Sequence, residues 1–264
     1  MSLVFSCVTP HTPLLLPTVG KEGLALIKKT KESMELLEKE LYVAQPEIIV
    51  VLTPHGAALP DAVSVNLNDK YVSNFAEFGD LATKLQWKSA LHLVDRIRED
   101  FKEKKLPLVL CSEEHLDYGT AVPLSYLTAH HPDIRVVPII MSNLDMKTHY
   151  VMGKELKDEI MRSEKRIAIV ASADLSHRVG EQSPAGFSPR GVAFDDKIVD
   201  IITRKNPLGV MDIDEAWVTE AGACGAKVLA MFCGIMDDVH HEATLLSYEK
   251  PFGVGYAVAG MKIA

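Results

Sequence analysis

Twice in this chain a short apolar run ends in the same tripeptide. Leu3-Val4-Phe5-Ser6-Cys7-Val8 leads into Thr9-Pro10-His11, and Ile48-Ile49-Val50-Val51-Leu52 leads into Thr53-Pro54-His55. Runs of this length, without polar alternation, read as strands covered on both faces. Strands of that kind belong to α/β sheets, whose ligand crevice lies outside the carboxyl ends. Each histidine stands just past such an end. Two imidazoles delivered to one crevice by two rigid strands can hold a metal ion. Neutral imidazole suits iron, zinc or copper better than magnesium or calcium.

The rest of the chain alternates in the same manner. The spacing of Ile27, Met34, Leu37 and Leu41 predicts a helix over 21–41, and 47–52 is the second strand. Residues 62–67 alternate apolar and polar, which predicts a half-exposed strand. Leu81, Leu85, Val94, Ile97 and Phe101 predict a long helix over 81–105. Strands are expected at 106–111, 135–141 and 166–171, and helices at 122–129 and 145–163. The stretch 180–189 reads as a loop, 192–233 as helical, and 243–248 and 253–261 as closing strands turned by Pro251 and Gly253. The expected fold is a single α/β domain spanning 1–264, with a mostly parallel or mixed central sheet and helices on both faces.

Composition narrows the function. With 47% hydrophobic residues in 264, the chain can bury a sizeable core. A net charge of −8, with no basic run interleaved with aromatics, argues against nucleic acid and anionic membrane as partners. The apolar stretches are of strand length, well short of a membrane span, and no signal-peptide pattern opens the chain. Cys7, Cys111, Cys224 and Cys233 are scattered, as free thiols in a reducing compartment would be. A cytoplasmic protein is expected. Phosphate-cradling glycine loops and the Gly-x-Ser-x-Gly elbow do not occur, which disfavours nucleotide chemistry and an α/β-hydrolase.

Further candidates lie beyond the other strands. His177 closes Ala173-Asp174-Leu175-Ser176-His177 after the 166–171 strand, as a third ligand or a general base. Glu220 and Cys224 are four residues apart, and on a helix they would share a face. Either could complete a site: Glu220 would give a two-histidine, one-carboxylate iron set, and Cys224 a softer one. The stretch 113–120 offers Tyr118 or His115 as a hydrogen-bond donor on a pocket wall, although a capped helix start with Pro123 just inside also accounts for it. The pairs His130-His131 and His240-His241 read as surface turns.

Together these residues resemble the class III extradiol ring-cleavage dioxygenases of the LigB superfamily, and in particular its Memo-like members. The likeness rests on Cys7-Val8-Thr9-Pro10-His11, Leu52-Thr53-Pro54-His55-Gly56, Asp117-Tyr118-Gly119-Thr120-Ala121-Val122-Pro123-Leu124 and Asp174-Leu175-Ser176-His177. It implies that His11 and His55 are metal ligands, that His177 is the acid/base, and that Tyr118 stands where ring-cleaving members carry histidine. It also implies a third ligand that is either Glu220 or, as Cys224-Gly225 suggests by likeness to Memo-like members, Cys224. The implied activity is cleavage of a catechol-type diol with dioxygen on Fe(II). Alternatives are a zinc-dependent hydrolase, or a Memo-like metal-binding regulatory protein without turnover. The partner expected is a small aromatic diol; self-association or a protein partner is left open.

Overall fold

The computed structural model describes residues 2–263. The elements in chain order begin with β1 (Leu3–Thr9), α1 (Pro17–Gly20), α2 (Lys28–Ala44), β2 (Ile48–Thr53), β3 (Val63–Asn66), β4 (Lys70–Phe75) and β5 (Asp80–Ser89). The middle of the chain forms α3 (Leu91–Glu103), β6 (Leu108–Cys111), α4 (Tyr118–Leu127), β7 (Arg135–Ile140), α5 (Met146–Met161) and β8 (Ile167–Ser172). Helices α6 (Pro189–Thr203), α7 (Glu215–Ala221) and α8 (Ala226–Met236) then precede β9 (His241–Glu249) and β10 (Tyr256–Ile263).

The strands form one mixed sheet in the order β4-β5-β7-β2-β8-β1-β10-β9. Its centre, β7-β2-β8-β1, is parallel, so their carboxyl ends share one rim. Strand β7 is shared along its outer edge. Its first residues pair with β5, and its last pair with β3, which carries β6 beyond it.

The central strands are buried on both faces, as uninterrupted apolar runs require. Alternate residues serve two cores. Ile49 and Val51 of β2 face Met34, Leu37 and Leu41 of α2 together with Ala121 and Leu124 of α4. Ile48, Val50 and Leu52 face α3, α5 and α8 through residues such as Val94, Leu156 and Val228. The chain runs outward from β1 to β2 to β7 and then returns to insert β8 between β2 and β1. Right-handed crossovers in opposite directions place their helices on opposite faces.

Helices α5 and α8 meet backbone to backbone. A Cβ on Gly153 would collide with the Met231 carbonyl, and one on Gly234 with the Tyr150 carbonyl. Gly153→Ala is therefore expected to force the helices apart at a cost of about 2–3 kcal/mol. Thermal denaturation should show the midpoint falling by about 5–10 °C. An unchanged midpoint would mean that the two helices slide past one another freely.

Several expectations are corrected. The helix expected over 81–105 begins only at Leu91, because Asp80–Ser89 is β5, paired antiparallel with the unforeseen β4. Leu81 is 79% exposed, while Trp87 and Ser89 point inward with the period of a strand. Residues 63–66 are fully buried rather than half exposed. Their polar members are satisfied inside: Ser64 donates to the Ala57 carbonyl, and Asn66 exchanges two hydrogen bonds with the Glu113 backbone. The helix expected from 21 opens as a 3-10 turn, Lys21–Ile27. His241 is buried at the start of β9 instead of lying on a surface turn.

Candidate metal centre

Strands β1, β8 and β2 lie side by side, and each delivers polar groups past its carboxyl end to one spot. His11 follows β1, His55 follows β2, and Asp174 and His177 follow β8. The Thr-Pro-His segment of β2 is pinned by the start of α4. The Asp117 carboxylate caps that helix, accepting from the Thr120 N–H at 3.0 Å and from the Thr53 hydroxyl at 3.3 Å. The Thr53 hydroxyl oxygen in turn accepts the His55 N–H at 3.2 Å. Gly119 lies so close that a Cβ there would stand 2.7 Å from Thr53 Oγ1 and 2.8 Å from His55 Cδ2. The Asp-Tyr-Gly-Thr stretch is thus both a helix start and a wall of the site.

The ligand nitrogens converge. His11 Nε2 and His55 Nε2 are 3.2 Å apart. Cys224 Sγ is 3.5 Å from His11 Nε2 and 3.6 Å from His177 Nε2. Tyr118 Oη is 3.1 Å from His55 Nε2, and the Phe78 ring meets the Tyr118 ring edge to face. His11, His55 and Cys224 are the group whose donor atoms all lie within 4.8 Å of one another. Donors bound at about 2.0–2.3 Å around one tetrahedral ion stand about 3.3–3.6 Å apart, which is close to the two spacings measured from His11.

The tautomer of His11 points the same way. Ser172 Oγ donates to the Gly119 carbonyl and lies 3.0 Å from His11 Nδ1. With its own proton committed, that hydroxyl accepts from Nδ1–H, leaving the Nε2 lone pair aimed at His55. Burial lowers the pKa of His11 to about 4 and, chiefly through the same effect, that of His55 to about 4. Both rings are therefore neutral lone-pair donors at neutral pH. Burial pushes the Cys224 thiol up, with Asp174 adding to the effect, and raises Asp174 to about 6 and Tyr118 to about 12. A buried cation would compensate this set of lone pairs and acidic groups. The donor set thus fits a transition metal.

Replacing Ser172 with alanine removes the acceptor that orients His11. Metal affinity should fall about 10–100-fold, as it does when outer-shell partners of metal-bound histidine are lost. Competition with a chromophoric chelator measures this directly. Retention of full affinity would show that His11 needs no such partner.

The segments bearing His177 and Cys224 are stitched together. Ser176 bridges Ala223, the Ser176 hydroxyl donates to the Ala221 carbonyl at 2.6 Å, and the Gly225 N–H donates to the Asp174 carbonyl at 3.2 Å. Glu220 does not join them. Helix α7 ends at Ala221 with Gly222 in the left-handed region (φ +59°), so Glu220 and Cys224 share no helical face. The Glu220 carboxylate instead pairs with Arg190 at 2.9 Å and is half exposed. His115 is also elsewhere, exposed beside Val72 of β4. Ser172 was missed as a supporting group. It ends β8, a position the sequence marks for the whole stretch without distinguishing its members. Among the described residues no helix is long and apolar enough to cross a membrane.

Residues 6–259 match the family described as the catalytic LigB subunit of aromatic ring-opening dioxygenase. The protein CA_C1420 of Clostridium acetobutylicum is 29% identical over 98% of this chain, which spans only 57% of that relative's length. A MEMO1 family protein of Methanosarcina mazei is 24% identical, over 88% of this chain and 90% of its own. In fold, the chain is similar to the crystal structure of the uncharacterized protein JW3007 from Escherichia coli K12. That likeness has a TM-score of 0.68 at 16% identity, over 98% of this chain and 99% of that one.

Proposed function

Since the chain belongs to the LigB family, we propose that it is a metal-dependent dioxygenase that opens the ring of a catechol-type diol, its metal held by His11, His55 and Cys224. The observation that carries this reading is the approach of His11 Nε2 to His55 Nε2 at 3.2 Å with the Cys224 sulfur beside them. When bound there, iron(II) would supply the positive charge and redox capacity that joining a diol to dioxygen requires. His177, whose Nε2 faces the same spot, accepts a hydroxyl proton from the diol and later returns it. The Tyr118 hydroxyl donates a hydrogen bond to an oxygen arriving beside His55, and its pKa of about 12 keeps it a neutral donor. Phe78 and Tyr118 form an apolar flank against which a planar ring can lie. Both oxygen atoms end in the product, so the balance needs no outside reductant.

The test is anaerobic loading with iron(II), addition of a panel of substituted catechols, and then oxygen. Uptake of one dioxygen per diol, with a coloured ring-opened product, is the expected result. Retention of iron with no uptake for any diol would overturn the reading.

Cys224 favours a second reading. A thiolate is a softer donor than the carboxylate of typical iron oxygenase sites and suits zinc well. In that case the chain is a zinc hydrolase or, in keeping with its MEMO1-named relative, a regulatory metal-binding protein without turnover. Protein purified without added metal would then carry zinc and no iron.

A further inference from the structure

Asp195 is a fully buried acidic residue on α6, outside the donor set. One carboxylate oxygen accepts the Ser176 N–H at 2.8 Å, and the other accepts the Tyr248 hydroxyl at 2.6 Å. Burial raises its pKa to about 7. A buried carboxyl group is costly where an apolar side chain would fill the same space, so its presence calls for a reason.

The surroundings supply one. The backbone is cleared on both sides: a Cβ on Gly255 would collide with Asp195 Oδ2, and one on Gly191 would collide with the Ser176 hydroxyl. Ser176, immediately before His177, bridges to Ala223, next to Cys224. Its carbonyl accepts the Gly255 N–H at 2.9 Å, and its hydroxyl oxygen accepts the Arg178 N–H at 3.0 Å. One residue earlier, the Leu175 N–H donates to the Gly255 carbonyl at 2.8 Å. Asp174 in turn accepts the His11 N–H at 2.8 Å. The carboxylate therefore anchors, from behind, the one segment that touches His11, His177 and Cys224.

We propose that Asp195, with Tyr248, is a positioning residue of the metal centre: through the Ser176 N–H it sets the placement of the 174–177 segment against Cys224 and His11. It touches neither substrate nor donor atoms and acts through Ser176 alone. The proposal rests on the metal-centre reading given above.

Cobalt(II) added to the intact 264-residue chain is the probe, because its thiolate charge-transfer band reports Cys224 and its visible bands report the ligand geometry. Asp195→Leu fills the space but accepts no hydrogen bond. It is expected to bind cobalt at least tenfold more weakly, with altered visible bands. Asp195→Asn keeps an acceptor for Ser176 and a polar partner for Tyr248, and should restore the wild-type spectrum. Tyr248→Phe, which keeps the carboxylate but loosens it, should weaken binding by a smaller factor and stands in if the leucine variant does not fold. Wild-type affinity and spectrum in folded Asp195→Leu, or in Tyr248→Phe where only that variant folds, would overturn the positioning role and leave the metal centre intact. A wild-type protein that takes up no cobalt would overturn both.

Discussion

Protein in which both His11 and His55 are replaced by alanine is expected to purify without bound metal, while the unaltered chain carries close to one ion. Structural zinc sites hold their ion by about 10–16 kcal/mol, or about 2.5–4 kcal/mol for each of four donors. Removing two donors then costs about 5–8 kcal/mol, about four to six decades of affinity. The rings are neutral at neutral pH, so no buried charge is stranded by their loss. Circular dichroism should report an unchanged fold, and elemental analysis should report the missing ion. Iron or zinc near one per chain in the folded double variant would end the proposal. The matching single change, Cys224→Ala, should leave weaker but measurable binding through the two imidazoles.

The second large effect is on stability and depends on pH. Asp195 is raised from the usual 3.8 to about 7 by burial. An acid raised in this way is protonated in the folded chain while the unfolded chain ionises, so the folded state binds more protons between these values. Stability is therefore lost as pH rises from about 4 to about 7, and the penalty is constant above that. Three pH units at 1.36 kcal/mol each make this about 4 kcal/mol. Asp195→Asn carries no such titration. Against the unaltered chain, the asparagine variant should gain up to about 4 kcal/mol in relative stability between pH 4 and pH 8. Urea denaturation across that range measures the difference. A gap that does not change with pH would show that the Asp195 carboxylate ionises as freely in the folded chain as in the unfolded one.

The parts of the site that follow from strand ends were legible in the sequence. His11, His55 and His177 each stand a few residues past a run of strand length, and parallel strands place such residues on one rim. The relation between Glu220 and Cys224 was not legible, because it turns on whether a helix continues past Ala221. Gly222 in the left-handed region ends that helix, and glycine alone does not announce in which conformation it will be used. The misassigned strand β5 has a similar cause. Leu81 and Leu85 happen to lie at helical spacing, while the competing strand period runs through Thr83, Leu85, Trp87 and Ser89. Pairing with β4, a contact that no local pattern encodes, decided between them. The polar interior of β3 was misread because alternation cannot distinguish solvent from buried partners such as Ala57 and Glu113.

The late insertion of β8 between β1 and β2 has a consequence for how the chain matures. The donors come from positions 11, 55 and 224, and the loop that sets their spacing is itself held by Gly255, at the entry to β10. A growing polypeptide lacks the full donor set until residue 224 has been made, and lacks its support until Gly255 follows. Contacts this distant along the chain make for slow assembly. Ion capture should therefore follow the docking of these distant segments, and the ion content of a preparation should count the molecules in which they have docked.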